Sequence, residues 1–359
     1  MLFTIKLKIL NKKISKKVIM KKKQYNLDLS SFLDIKFDYG FRLDIGGDVG
    51  SGHFYRCYAI AEKLIGKKMK IIFIVNNKQE LESHLKNKKI FYHELKNDKE
   101  FKEISKNIKK IIIDLPFNNL KYNKMLEKNQ KTVTIDDIGN KKILSDLLFN
   151  GSIVNEFQKY LIDKNKTKYF KGPKFILLRS EFSLNKEKFY LNKKVKKILI
   201  IFGGNDENNI TKKILKNFMD KKYNITIIIG PSYKYLKNIE RLISNSKIKL
   251  YQNKKNIANL LVKQDIVISS AGITAYELAS LGIPSIFMPM DKYQMKTARE
   301  MESNGFGINH GYWNNNYKKL DEMICTISDY DIRKKMSKCG KKLVDGKGLE
   351  RIVKKIEQI

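Results

Sequence analysis

From residue 41 onward, short runs of apolar, largely β-branched residues alternate with longer stretches in which apolar positions recur at helical spacing. Residues 41–45 read as a first strand, followed by a glycine-rich turn and an amphipathic helix through Leu64. Runs at 70–75, 110–114 and 132–135 continue the rhythm. Strand–helix alternation of this kind predicts a parallel sheet covered on both faces. A lysine-rich stretch at 184–197 interrupts the pattern, which then restarts with strands expected at 198–202, 224–229, 266–269 and 284–288. The final segment, 348–359, has a helical pattern. The expected fold class is α/β, with two doubly wound Rossmann-like domains facing across a crevice at their strand C-termini. The expected boundaries are a basic leader over 1–39, an N-terminal domain over 40–183, a linker over 184–197 and a C-terminal domain over 198–359 with its terminal helix.

A chain of 359 residues is long enough for two such domains. No stretch approaches the roughly 18 consecutive apolar residues of a membrane helix, so stable membrane insertion is not expected. The formal net charge of +36 suggests nucleic acid at first sight. The excess is nearly all lysine, however, spread along the chain among Asn and Ile, which reads as a solvated coat rather than a nucleic-acid surface. It would still attract a phosphorylated substrate. Cys57, Cys325 and Cys339 form neither a disulfide framework nor a zinc spacing and fit a reducing, cytoplasmic compartment. In the leader, lysines at 12, 13, 16, 17 and 21–23 break a weakly apolar segment. Disorder is the plain reading of that leader, Met20 offers a later start, and weak contact with an anionic membrane surface is an alternative.

Chemistry concentrates where strands end. Gly46-Gly47-Asp48-Val49-Gly50-Ser51-Gly52-His53 follows a strand and opens a helix. Its glycines allow close backbone approach, and the free N–H groups at the helix start favour a phosphate or carboxylate. The spacing fits neither a dinucleotide fingerprint nor a P-loop. His53, with Arg56 three residues on, is the candidate general base, because a neutral imidazole there can accept a proton. His84, His93 and His310 lie in lysine- or asparagine-rich surroundings and read as surface residues. Asp114, Asp136 and Asp137 close strands, where a turn or N-cap role competes with substrate contact. In the second half, Phe202-Gly203-Gly204-Asn205-Asp206 and Ser269-Ser270-Ala271-Gly272-Ile273-Thr274-Ala275-Tyr276-Glu277 place small residues between a strand and a helix. The latter leaves N–H groups for a diphosphate and sets Glu277 one turn in, placed to accept from ribose hydroxyls; tight strand–helix packing selects the same residues. Gln294 is a candidate for sugar hydroxyls.

Together with Arg42-Leu43-Asp44, Asp146-Leu147-Leu148-Phe149-Asn150, Leu177-Leu178-Arg179-Ser180-Glu181-Phe182 and Asp345-Gly346-Lys347-Gly348, these motifs resemble the GT-B superfamily of nucleotide-sugar enzymes. Within it the chain resembles the UDP-sugar hydrolases of pseudaminic acid biosynthesis and the related spore-coat-polysaccharide proteins described as predicted glycosyltransferases. The resemblance implies that Gly50, Ser51, Gly52, His53 and Arg56 hold the reacting sugar, with His53 activating water. It implies that Gly272, Ile273 and Thr274 bind phosphate and Glu277 the ribose, and adds Asp136, Asn150, Arg179, Gly203, Gly204 and Asn205 as substrate contacts. Neither a metal nor a cofactor is implied; the partner implied is a small-molecule UDP-sugar. One departure stands out. The hydrolases show Asp-Ser-Tyr where this chain reads Asp114-Leu115-Pro116, so the tyrosine expected to touch the sugar is missing. The expected activity is inverting hydrolysis of a UDP-linked diacetamido-trideoxyhexose. The alternatives are transfer of the sugar to an acceptor by an inverting glycosyltransferase of surface polysaccharide synthesis, and non-catalytic binding of a nucleotide sugar.

Overall fold

The computed structural model describes residues 35–49, 51–85, 90–117, 119–219, 221–254, 256–314 and 318–359. The reading of the leader therefore falls almost wholly outside the described residues, as does Gly50. The chain forms two compact units, one running through Ile135 and taking in Ile143–Asp146, the other holding Asp136–Lys142 and Leu147–Ile359.

The first unit is built from β1 (Phe37–Leu43), α1 (Gly52–Gly66), β2 (Ile71–Val75), α2 (Lys78–Leu85), β3 (Phe91–Glu94), α3 (Asp98–Ser105), β4 (Ile108–Asp114), α4 (Asn119–Met125) and β5 (Lys131–Ile135). Its strands lie in the order β3-β2-β1-β4-β5, with parallel pairing throughout. β2 is buried at every position, as a strand covered on both faces must be. On one face Phe37, Ile72, Ile74, Phe101, Ile111 and Ile113 pack together. β1 begins at Phe37, inside the stretch read as leader and four residues before the strand expected at Phe41. Asp38 and Gly40 break its apolar run, which hides it in the sequence. Gly40 lets β4 pack closely, since a Cβ there would lie 2.7 Å from Ile108 Cδ1 and that side chain would have to shift.

The second unit opens with short parallel pairs, β6 (Lys141–Lys142) with β8 (Tyr160–Leu161) and β7 (Leu147–Asn150) with β9 (Lys168–Lys171). After α5 (Ser180–Asn185) comes a second sheet of β10 (Lys197–Ile201), β11 (Asn224–Ile229), β12 (Lys249–Gln252), β13 (Ile266–Ser269), β14 (Ser285–Phe287) and β15 (Ile308–Asn309). The order β12-β11-β10-β13-β14-β15 is again all parallel. Its helices are α6 (Ile210–Leu215), α7 (Leu236–Ile243), α8 (Ala258–Leu261), α9 (Ile273–Leu281), α10 (Lys292–Ser303), α11 (Lys318–Ser328), α12 (Tyr330–Leu343) and α13 (Gly348–Glu357). Two apolar clusters, one around Ile200, Ile227 and Ile268 and one around Leu199, Val267 and Phe287, cover the two faces.

The 184–197 stretch expected as a linker is anchored rather than tethered. Phe189 is buried beside Phe182 and Leu199. The backbone N–H groups of Lys196 and Lys197 both donate to Asp265 at 2.8 Å, and the fully buried Arg333 donates to the carbonyls of Asn192 and Lys193 at 2.9 Å. Six lysines among these residues masked one aromatic and one asparagine that do the holding.

Each sheet has a topological switch point, between β1 and β4 in the first unit and between β10 and β13 in the second. Ligands of doubly wound sheets bind outside the strand C-termini at such points. Among the described residues no helix is long and apolar enough to cross a membrane.

Candidate active site

In the first unit, β4 delivers Asp114 to the switch point, where it pairs in register with Leu43 of β1. α1 begins there. Ser51 is its N-cap residue but makes no side-chain cap bond, and Gly52 is exposed, with open space around a Cβ built on it. His53, in the first turn, places Nδ1 2.6 Å from Asp114 Oδ1. Arg56, one turn on, donates from Nε to Asp114 Oδ2 at 2.6 Å and from Nη2 to Oδ1 at 2.7 Å. Cys57 Sγ adds a longer contact to Oδ2 at 3.6 Å.

The carboxylate of Asp114 is fully buried. Burial alone would push its pKa up, but the charges of Arg56 and His53 and their hydrogen bonds prevail and hold it well below the usual carboxylate range. Burial beside that carboxylate pushes the Cys57 thiol up, which keeps it an inert neighbour. An ionised oxygen 2.6 Å from a ring nitrogen requires a proton between them. That proton belongs to Nδ1 whether or not the ring is charged, so Asp114 fixes the imidazole orientation, and loss of the other ring proton frees Nε2 as the acceptor. Arg56 Nη2 also lies 2.9 Å from Nδ1, but a guanidinium has only donors, and its acceptor here is the carboxylate. Asp114, read from sequence as a turn or cap residue, is the orienting partner of His53. Only the coincidence of a strand-ending aspartate with the same sheet edge as the glycine turn could have signalled it.

In the second unit, the loop after β10 presents Gly203, at φ +70°, with Gly204 and Asn205, all exposed. Buried Asp206 fixes this loop by accepting from the N–H groups of Ile210 and Thr211 at 2.8 and 2.9 Å. Gly230 completes the fit, because a Cβ there would sit 2.1 Å from the Gly204 carbonyl oxygen. After β13, Gly272 caps α9 with open space around it, Ile273 is about half exposed and Thr274 is nearly buried. Glu277 is 2% exposed, and its Oε1 accepts from Arg179 Nε and Nη2 at 3.2 and 3.0 Å. Its Oε2 has no partner among the described residues. Burial raises the Glu277 pKa, the Arg179 cation offsets this in part, and Glu181, which pairs with Arg179 at 2.8 Å, adds to the rise. Gln294 accepts from the Met290 N–H at 3.1 Å through Oε1, leaving its NH2 to donate.

Two expected substrate contacts are spent on internal structure. Asp136 accepts from Gly139 N, Lys141 Nζ and the Tyr160 hydroxyl, at 2.9, 2.6 and 2.6 Å. Asn150 donates to the Phe157 carbonyl and the Tyr160 hydroxyl and accepts from Ser152 N, at 2.7, 2.6 and 2.8 Å. Both stitch the irregular 136–160 segment, which carries more loop polar groups than sheet can satisfy. The histidines read as surface also differ: His93 and His310 are buried, His93 on β3 against Glu100 at 3.2 Å, while His84 is half-buried against Glu80. Among the described residues no group of three or more His, Cys, Asp or Glu side chains is placed to hold a metal.

Residues 185–351 match the glycosyltransferase family 28 C-terminal domain. The crystal structure of Acinetobacter baumannii MurG superimposes with a TM-score of 0.66 at 11% identity, covering 90% of this chain and all of that one. The chain has a GT-B glycosyltransferase-like fold. A second GT-B structure, Anabaena HepE in complex with UDP-glucose, superimposes with a TM-score of 0.57 at 12% identity over 89% of this chain and all of its own. The spore coat polysaccharide biosynthesis protein SpsG of Bacillus subtilis is 26% identical over 329 residues, which is 87% of this chain and 96% of SpsG. An uncharacterized protein of Methanocaldococcus jannaschii is 32% identical over 271 residues, 70% of this chain. The GT-B chain spans 55% of that relative's length.

Proposed function

We propose that the protein transfers a sugar from a UDP-sugar to a hydroxyl acceptor in surface polysaccharide synthesis, with inversion at the anomeric carbon. The observation that carries this reading is His53 locked onto buried Asp114 at the switch point of the first unit. The Nε2 lone pair takes the acceptor's proton as its oxygen bonds to the anomeric carbon. The bond from that carbon to the phosphate oxygen breaks, and UDP departs with the electron pair. Asp114 stabilises the imidazolium that forms, in the manner of a base held by a third group. In the second unit, the free N–H groups after Gly272 at the start of α9 suit the diphosphate, and the unpartnered Oε2 of Glu277 suits a ribose hydroxyl. Support for the substrate class comes from the likeness to SpsG, named for polysaccharide biosynthesis, and to HepE, solved with UDP-glucose.

Hydrolysis, the activity first expected, would use the same base and leaving group with water in place of the acceptor. Asp114-Leu115-Pro116, lacking the hydrolases' tyrosine, favours transfer. Incubation with a panel of UDP-sugars, with and without hydroxyl acceptors, tests the proposal by following UDP and free sugar. Acceptor-dependent UDP release, abolished in His53→Ala, is expected. Release of free sugar at a rate indifferent to acceptor would establish hydrolysis instead, and release of neither would leave a binding protein.

A further inference from the structure

Arg42 is 4% exposed, on the β1 strand of the first unit's switch point. Burying a guanidinium is costly unless its donors are placed on acceptors. Arg42 Nη1 donates to the Leu43 carbonyl at 2.6 Å and to Asp44 Oδ1 at 2.7 Å, and Nη2 donates to the Tyr122 hydroxyl at 2.9 Å. The cation also lies 4.5 Å from the centre of the Tyr122 ring, and that hydroxyl donates a hydrogen bond to Asp98 at 2.9 Å. On the other side of Asp44, the Ile45 N–H donates to Asn76 Oδ1 at 2.8 Å. Asp44 is therefore held from both directions.

What is held is only half used. Asp114, Asp136 and Asp265, buried aspartates at strand ends, have both oxygens engaged. Asp44 is a quarter exposed, and among the described residues its second oxygen has no partner. It follows Leu43, the register neighbour of Asp114, so this free oxygen and the His53–Asp114 pair share one sheet edge at the switch point. We infer that Asp44 is a substrate-contacting residue, accepting a hydrogen bond from an O–H or amide N–H of the donor sugar, and that Arg42 is its positioning residue. This rests on reading the first unit as the sugar side of the transferase. A carboxylate pinned through one oxygen by a buried fork presents the other without further ordering, which is how a rigid site gains affinity and orientation.

The test is calorimetric titration of the full chain with UDP, UDP-glucose and UDP-N-acetylglucosamine, paired with KM and kcat for whichever sugar is turned over. Asp44→Asn, which keeps an oxygen for Arg42, should leave the UDP affinity unchanged. It should weaken the better-bound UDP-sugar, in Kd and KM, by about 10- to 100-fold, the usual loss for a charge-assisted hydrogen bond. Asp44→Glu should recover part of that loss, and Arg42→Lys, which lacks the fork, should weaken the UDP-sugar in the same direction. Equal losses for UDP and UDP-sugar, or losses that track a fall in melting temperature, would make Asp44 merely structural and overturn the proposal. So would unchanged UDP-sugar binding in Asp44→Asn. If the wild type binds every UDP-sugar no better than UDP, the sugar-side reading itself fails and takes this proposal with it.

Discussion

Replacing Asp114 by Asn changes one atom and almost no volume, and the geometry sets what that costs. Oδ1 faces His53 Nδ1 and Arg56 Nη2, and Oδ2 faces Arg56 Nε and Cys57 Sγ. All these neighbours are donors in the native arrangement. An amide NH2 in the Oδ2 position confronts the guanidinium. In the Oδ1 position it forces His53 to accept at Nδ1, which puts the proton on Nε2 and removes the base. Breaking a buried charge pair costs about 3–5 kcal/mol. The low end is expected here, because Arg56 and His53 keep 16% and 13% of their side chains exposed and water can take over part of the lost partner's role. Losing the base tautomer should lower kcat by about 10²- to 10⁴-fold, or about 2.7–5.5 kcal/mol in the barrier. The assay is initial-rate UDP release with acceptor, alongside UDP affinity by calorimetry and a thermal melt. Lower turnover with unchanged UDP affinity, in a variant still folded at the assay temperature, is the expected result. A folded Asp114→Asn protein turning over within a few-fold of wild type would refute the tautomer argument.

Glu277→Ala should weaken UDP binding by about 1–3 kcal/mol in calorimetry, by removing the acceptor proposed for the ribose; unchanged affinity would detach Glu277 from the nucleotide. Asp114 also predicts an acid-side slope. Its folded pKa is depressed, so its stabilisation is fully present above the unfolded value of about 4 and is lost as pH falls below it. Urea unfolding from pH 6 to 3 should show wild type losing stability towards the acid end and Asp114→Asn losing less over the same window. Parallel curves for the two proteins would contradict the depressed pKa.

The parts of the fold most legible in the sequence are strands covered on both faces. β11 and β13, Asn-Ile-Thr-Ile-Ile-Ile and Ile-Val-Ile-Ser, appear at the positions expected as runs dominated by isoleucine and valine, the signature of a strand covered on both faces. β3 and β12 stand at sheet edges, where half-polar sequences such as Phe-Tyr-His-Glu and Lys-Leu-Tyr-Gln carry no such signature. His53 could be singled out because glycines and a helix start surround it within a few residues. Its partner Asp114 could not, since the two meet only when β4 is laid beside β1, 61 residues apart in sequence. Asp136 and Asn150 illustrate the reverse: their residue types suit substrate contact equally well as loop stitching, and only the folded loop shows the internal partners that engage them, the Tyr160 hydroxyl between them included.

The stereochemistry of the product bears most directly on His53 acting as base in a single displacement. Proton NMR of the wild-type reaction, recorded from the first turnover with an α-linked UDP-sugar and its acceptor, reads the configuration of the new glycosidic bond. A β-linked product, absent in His53→Ala, is the result expected. An α-linked product, or one formed equally well without His53, would contradict direct attack by a deprotonated acceptor.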